Sequence, residues 1–380
     1  MQQLPKSLSD KLAQRDQTGT LRELPSALVQ VDFTSNDYLG LSQNAAIYNA
    51  AHQHLTTKYE IANGATGSRL ISGNYSLYEE TENYIAQFHQ AETALVFNSG
   101  YDANIGFFSS VPQKEDVILY DALIHASVRD GIRLSNALAY RFAHNDMEAL
   151  QKMIERYRDK AHEIYVVTES VFSMDGDSPD MQLLMCCTNY KNVHLIIDEA
   201  HALGVMGSGG KGLVQHYGLE NYVFARIITF GKGLGCHGAA VLGSKTLSEY
   251  LINFARSFIY TTGLPPHALA TILQAYKHLK QEEANRNKLL KNIAFFREEA
   301  RRLNLPFIPS TSAIHCIIIA GNEKVKHTAK QILQKGYEVK AILSPTVQAG
   351  QERLRFCLHS YNTAPQISGV LKVLKEALTA

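Results

Sequence analysis

The stretch His194–Gly204, HLIIDEAHALG, decides how the chain is read. An apolar run, Leu195-Ile196-Ile197, ends in Asp198. That is the pattern of a strand buried on both faces whose C-terminal edge carries a carboxylate. The letters Asp-Glu-Ala-His also spell the metal-binding box of a large class of ATP-driven helicases. A motor of that kind needs a phosphate cradle, G-x-x-x-x-G-K-[ST], after an early strand. Gly210-Lys211 is followed by Gly212 and has Val205 where the first glycine is required; Gly231-Lys232 is followed by Gly233 and has Arg226 there. Both lie downstream of the acidic box, whereas the cradle precedes it. The motor reading fails, and Asp198 is read as a ligand-holding group at a strand edge.

Working outward, short β-rich runs recur from about residue 94 to 244: ALVFNSG, DVILYD, AYRFAH, IYVVTES, VHLIIDEA, RIITFGK and GAAVLGS. Helix-like segments lie between many of them, such as NDMEALQKMIERYRD, where Asn145 can cap. This alternation predicts an α/β fold with a mostly parallel sheet. One long helical stretch is expected over roughly His267–Leu303. AIHCIIIA, a helix from about Asn322 to Gly336, VKAILS, RLRFCLH and a last helix then make a smaller C-terminal α+β domain. The expected division is an N-terminal arm, 1–45; a large cofactor-binding α/β domain, 46–265; and a linking helix with the small domain, 266–380.

Composition narrows the function classes. Hydrophobic residues make up 45% of the 380, charged residues 19%, and the net charge is +1, which calls for neither a nucleic-acid nor an acidic-membrane partner. No apolar run approaches the ~18 residues that span a bilayer. The N-terminal MQQLPKSLSDKLAQRDQ lacks the apolar core of a signal peptide, so a cytoplasmic protein is expected. Cys186, Cys187, Cys236, Cys316 and Cys357 include no C-x-x-C, which points away from a disulfide framework and from a metal site.

In open α/β sheets ligands bind at the C-terminal strand edge, so Asp198 is placed to hold a cationic part of a cofactor. Lys232 follows within TFGKGLG, at the end of another β-rich run. The glycines let a bulky group approach, and crowding lowers a lysine pKa, which suits Schiff-base chemistry. Together they suggest pyridoxal 5'-phosphate (PLP). That cofactor needs an amine for its aldehyde and a carboxylate to keep its pyridine nitrogen protonated. It also needs backbone N–H groups at a helix N-terminus for its phosphate, and a flat group on the ring face. VFNSGYDANIGFF offers the amides of Gly100 and Tyr101, and Thr229 offers a hydroxyl. His125, in YDALIHAS, can stack on the ring, and His201 can reach its phenolic oxygen. Singly, each histidine is more simply a structural residue, NSGYDAN a helix cap and Gly-Lys-Gly a loop. The combination, in order and each at a strand edge, favours the cofactor.

FTSNDYLGL (33–41), GATGSRLISGN (64–74), FNSGYDANIG, IHAS, FAHND, VTESVFSMDGD (167–177), DEAHALGVMG, TFGKGLGCHGAAV, FIYTTGLPP (258–266) and SPTVQAGQERLR (344–355) together resemble the α-oxoamine synthases. These are PLP-dependent transferases of the aspartate aminotransferase-like fold, fold type I. The resemblance covers nearly the whole chain after residue 30. It implies that Lys232 bonds the aldehyde and later moves the substrate α-proton, and that Asp198 pairs with the pyridine nitrogen. His201 would bond the phenolic oxygen, His125 stack on the ring and help position the acyl group, and Gly100 and Tyr101 cup the cofactor. Ser173 and Thr229 would add polar contacts, with Glu169 near the site. Arg355 would hold the amino-acid carboxylate, a bidentate task suited to a guanidinium; Arg353 shares its strand face, so that choice rests on the resemblance. Thr346 and Arg22 match acyl-substrate contacts.

Within the family the likeness is greatest to the biotin-pathway branch. That implies condensation of L-alanine with a pimeloyl thioester, on CoA or an acyl carrier protein, to give 8-amino-7-oxononanoate, CO2 and free thiol. The branches that make 2-amino-3-ketobutyrate, 5-aminolevulinate or sphingoid bases are the alternatives. A silent binding subunit is a further one, but such relatives lose the lysine that this chain keeps. The family also implies a homodimer.

Overall fold

The structure is a computed structural model and describes residues 4–24, 30–58 and 61–379. Its strands, in chain order, are β1 (Val31–Asp32), β2 (Thr93–Phe97), β3 (Val117–Asp121), β4 (Leu138–Phe142), β5 (Ile164–Glu169) and β6 (Val193–Asp198), then β7 (Ala225–Thr229), β8 (Ala239–Gly243), β9 (Ile314–Ile318), β10 (Tyr337–Glu338), β11 (Lys340–Ile342) and β12 (Arg353–Cys357). Two units divide the chain: a larger one, Asn36–Ser173 with Asp177–Lys288, and a smaller one, Met1–Ser35 with Met174–Gly176 and Leu289–Ala380. The divisions fall after Ser35 and Lys288, where the sequence reading placed them after residues 45 and 265.

The larger unit holds a seven-stranded sheet in the order β2-β8-β7-β6-β5-β3-β4. Strands β3 to β7 pair in parallel, and β8 runs antiparallel to both its neighbours, so the sheet is mostly parallel as expected. The central strands carry apolar residues at both phases because both faces are covered. Along β5 and β6 successive residues enter different cores: Tyr165, Val167 and Ile196 join one apolar cluster, while Ile164, Val166, Leu195 and Ile197 join the other. A period of two with apolar residues at both phases is the signature of a strand between two helical layers.

Two local expectations change. The helix after β4 spans Met147–Tyr157 and is capped by Asp146, whose carboxylate accepts the Ala149 amide at 2.8 Å. Asn145 instead takes a left-handed φ of 54°, and its amide donates to Asp121 Oδ2 at 2.8 Å. The long helix is two, Pro266–Leu279 and Glu283–Arg302. Arg286 reaches back to the Leu279 carbonyl at 2.8 Å and satisfies one of the last carbonyls at the buried end of the first helix. Lys280, Gln281 and Glu282 all favour helix, and neither glycine nor proline marks the break, so the residue order alone merges the two.

In the smaller unit β11, β12 and β9 form an antiparallel sheet, and β1 pairs in parallel with β10. Helices Asn322–Gln334 and Ala364–Thr379 belong to the same unit. Its core gathers the rings of Phe33, Phe296, Phe307 and Phe356. No helix among the described residues is long and apolar enough to cross a membrane. All five cysteines are free thiols.

Candidate active site

Neighbouring parallel strands end together, which brings three of the expected residues to one edge. Glu169 closes β5, Asp198 closes β6 directly beside it, and Thr229 closes β7. At this edge Gly100, Tyr101, His125, Glu169, Asp198, His201, Thr229 and Lys232 line one cavity of about 180 Å³, joined by Asn104, Ser127, Ala200 and Ile227. Ser173, buried in the turn after β5, is not among the lining residues. Arg22, Thr346 and Arg355 belong to the smaller unit. There Arg22 and Thr346 are exposed, while Arg355 is buried on β12. Arg353, the rival to Arg355, is paired with Asp175 and donates to the Gln351 carbonyl at 2.9 Å.

Asp198 is held on both oxygens. Its Oδ1 accepts the Ala200 amide at 2.9 Å, and its Oδ2 accepts Asn104 Nδ2 at 3.1 Å. Asn104 lies on the buried face of the helix Gly100–Ser110 and also donates to Ser127 Oγ at 3.0 Å. That hydroxyl is 2.7 Å from His125 Nδ1, so a continuous polar chain joins the carboxylate to the imidazole. His125 caps the helix Ala126–Leu134 by accepting the Ser127 amide on Nδ1, which leaves the proton of the neutral ring on Nε2. Burial, with the charge of Lys232 beside it, lowers the His125 pKa against the pull of Asp198. The His125 amide donates to Glu169 Oε1 at 2.6 Å. Burial and the adjacent Asp198 carboxylate push Glu169 up to about 8.

Lys232 sits in the turn after β7, and its Nζ lies 2.9 Å from His201 Nε2. His201 Nδ1 is 2.6 Å from the Tyr38 hydroxyl. With the lysine protonated, Nε2 accepts, so Nδ1 carries the proton and donates to the tyrosine oxygen. The turn is crowded: a Cβ at Gly233 would lie 2.3 Å from the Leu203 carbonyl oxygen, and one at Gly235, with φ of +64°, the same distance from the Ser42 nitrogen. Glycine is required at both positions for the lysine to stand where it does.

The first-turn amides of Gly100–Ser110 have no intrahelical partner. Ser99 Oγ takes that of Asp102, and Gly100 and Tyr101 face the cavity. A Cβ at Gly100 would stand 3.5 Å from Thr229 and narrow this end. An amine, a buried carboxylate, an anion-binding helix start and a flat imidazole thus share one small cavity. This donor set fits PLP: amine for aldehyde, carboxylate for pyridine nitrogen, amides for phosphate.

Three polar residues that line or support the cavity were not foreseen. Asn104 was visible as a lone amide among Ala103, Phe107 and Phe108, a polar group on an otherwise apolar helix face. Ser127 follows His125 by two residues, at the end of IHAS. Tyr38 lies in FTSNDYLGL, but nothing in the chain's local pattern ties it to His201.

Sheet order and cavity define the class, a PLP-dependent enzyme of the aminotransferase fold. The sequence profile described as "Aminotransferase class I and II" matches residues 29–373. The 8-amino-7-oxononanoate synthase of Emericella nidulans is 41% identical over 96% of this chain and 92% of its own. Among solved structures, the serine palmitoyltransferase of Sphingomonas wittichii matches with a TM-score of 0.90 at 27% identity, covering 99% of this chain and 98% of that one. The 8-amino-7-oxononanoate synthase of Francisella tularensis matches with a TM-score of 0.79 at 31% identity, covering 92% and 98%. The chain belongs to the aminotransferase class I and II family and, within it, to the α-oxoamine synthases, which are PLP-dependent acyltransferases.

Proposed function

We propose that this enzyme condenses L-alanine with a pimeloyl thioester, on CoA or an acyl carrier protein, releasing 8-amino-7-oxononanoate, CO2 and free thiol in biotin synthesis. The observation that carries the chemistry is the Lys232 amine, 2.9 Å from His201, in the cavity that Asp198 also lines. When bound, PLP supplies an electron sink that stabilises negative charge at the amino-acid α-carbon.

The chain's own residues do the rest. Lys232 would hold the aldehyde, and its free amine would take the substrate α-proton and return one. Asp198, fixed by Asn104 and Ala200, keeps a proton on the pyridine nitrogen. His201 orients Lys232, and in the tautomer with its proton on Nε2 and Nδ1 accepting from the Tyr38 hydroxyl it would donate to the phenolic oxygen. The neutral His125 ring covers the cofactor face and helps place the acyl carbonyl. Gly100 and Tyr101 receive the phosphate, with Thr229 and Ser173 as further polar contacts and Glu169 bracing the His125 turn. Arg355 takes the amino-acid carboxylate, and Thr346 and Arg22 serve the acyl substrate. We assign the protein to the cytoplasm as a homodimer on the family likeness.

The identity of 41% to a biotin-pathway relative supports alanine as the amino acid. The TM-score of 0.90 to a serine palmitoyltransferase favours a second reading, a serine-dependent condensation. Product analysis by mass spectrometry with alanine, glycine or serine, each with pimeloyl-CoA, separates them. Alanine is expected to give the 8-amino-7-oxononanoate mass, and product from serine alone would overturn the assignment. Lys232→Ala should lose both turnover and the visible absorbance of bound cofactor; a variant that keeps both would refute the lysine's role.

A further inference from the structure

His144 lies outside the cavity, in the FAHND stretch just past β4, and none of the chemistry above uses it. Both its ring nitrogens face carboxylates. Nδ1 is 2.8 Å from Asp121 Oδ1, and Nε2 is 2.8 Å from Asp177 Oδ2. An ionised carboxylate only accepts, so the ring donates twice and is an imidazolium. Burial opposes that charge, but hydrogen bonds to Asp121 and Asp177 outweigh it and push the His144 pKa up to about 10.

What the two carboxylates hold gives the arrangement its meaning. Asp121 ends β3 and is fully buried. Its Oδ1 also accepts the Leu123 amide at 2.7 Å, inside the four-residue turn that delivers His125. Asp177 belongs to the turn after β5: its carbonyl accepts the Phe172 amide at 2.9 Å, and the Phe172 ring meets His144 edge-on at 4.5 Å. Asn145 reinforces both ends, donating its amide to Asp121 and its side chain to Asp177, each at 2.8 Å. Strand β3 lies between β4 and β5, so a side chain leaving the end of β4 spans the end of β3 to reach the turn beyond β5.

We propose that His144 is a positioning residue for catalysis: a cation bolted between Asp121 and Asp177 that fixes the Asp121–His125 turn, and so the His125 ring, at the cofactor cavity. This rests on the reading that gives His125 the cofactor face. Without the cation, Asp121 is a buried charge with only amide donors, and the cheapest relief is for the turn to open towards water.

Two measurements test this. In the cofactor-free protein, hydrogen–deuterium exchange should rise in His144→Gln at the amides of Leu123 and His125, with strands β7 and β8 unchanged. No change at those amides, or an equal rise throughout the unit, would overturn the proposal. In the cofactor-loaded enzyme, His144→Gln should lower kcat roughly 10- to 100-fold, the penalty of a displaced catalytic group. In a His125→Ala background it should add less than about 2-fold, because two residues acting through one contact are not additive. A full additional loss there would show that His144 does not act through His125. Should His144→Gln fail to fold, Asp177→Asn keeps the histidine and an acceptor oxygen; it should raise exchange at the same two amides, and unchanged exchange would overturn the proposal. A silent His125→Ala would instead sink the His125 reading, leaving the exchange measurement to decide the positioning.

Discussion

At the scale of single residues, Glu169 carries the clearest electrostatic consequence. It is buried beside Asp198, and its pKa rises from the usual carboxylate range to about 8. A carboxyl raised on folding keeps its proton while the unfolded chain has lost it. The stability it contributes is complete below about pH 4.5, declines as pH rises, and is gone above about 8. Glu169→Gln mimics the protonated form and retains an oxygen for the His125 amide. Urea unfolding of the cofactor-free protein should find wild type and variant close at pH 5, with wild type losing ground to the variant by pH 8. A pH-independent difference would refute the raised pKa. At this scale the sequence disclosed the groups that do chemistry and concealed those that hold them. Lys232, Asp198 and His125 stand at strand ends, where function concentrates. Tyr38 and Asn104 act through contacts with residues remote in the chain, 163 and 94 positions away, and no local pattern records such a partner.

At the scale of elements, the fit between the helices Gly100–Ser110 and Ala126–Leu134 sets the cavity. The first carries the phosphate-facing amides and Asn104; the second begins at His125. They approach at Gly131, where a Cβ would lie 2.8 Å from the Asn104 carbonyl oxygen and 2.9 Å from Phe108 Cβ. Gly131→Ala gains about 1 kcal/mol of helix propensity but must force apart two backbones, an overpacking cost of about 1–3 kcal/mol. Because the contact is with backbone, which cannot swing aside, the overpacking cost outweighs the gain in propensity. Net destabilisation in urea and weaker PLP binding by titration are expected together, since the same shift moves Asn104 and His125; a variant as stable as wild type with unaltered PLP affinity would overturn this. The strands were legible because burial on both faces writes itself as unbroken apolar runs. The break at Lys280–Glu282 was not, because its three residues all favour helix and the bond from Arg286 back to the Leu279 carbonyl leaves no mark in the residue order. Asn145 and Asp146 are equally good capping residues in a sequence; only the Asp121 carboxylate, which claims the Asn145 amide, decides between them.

At the scale of the molecule, the smaller unit is assembled from three stretches far apart in the chain, and this bears on whether it can exist alone. Residues 289–380 supply its antiparallel sheet and the helices Asn322–Gln334 and Ala364–Thr379, but Phe33, with none of its surface exposed, comes from the N-terminal stretch. The Phe33 carbonyl accepts the Cys357 amide at 2.8 Å, and its amide donates to Glu338 at 3.0 Å. Asn362 donates to the Asp32 carbonyl at 3.1 Å, and Tyr361 to its carboxylate at 2.9 Å. The short stretch Met174–Gly176 supplies Asp175, the partner of buried Arg353. Losing a buried phenylalanine removes about 1.5–3 kcal/mol, and leaving a buried guanidinium unpaired costs about 3–5 kcal/mol. Together these rival the ~5–15 kcal/mol that holds a whole domain folded. A separate C-terminal domain, as the order of elements along the chain suggests, would therefore lack what stabilises it. An excised 289–380 fragment should show no cooperative thermal transition and no near-ultraviolet circular dichroism of packed aromatic rings. A sigmoidal melt with such a signal would mean that the C-terminal stretch holds its core without Phe33 and Asp175.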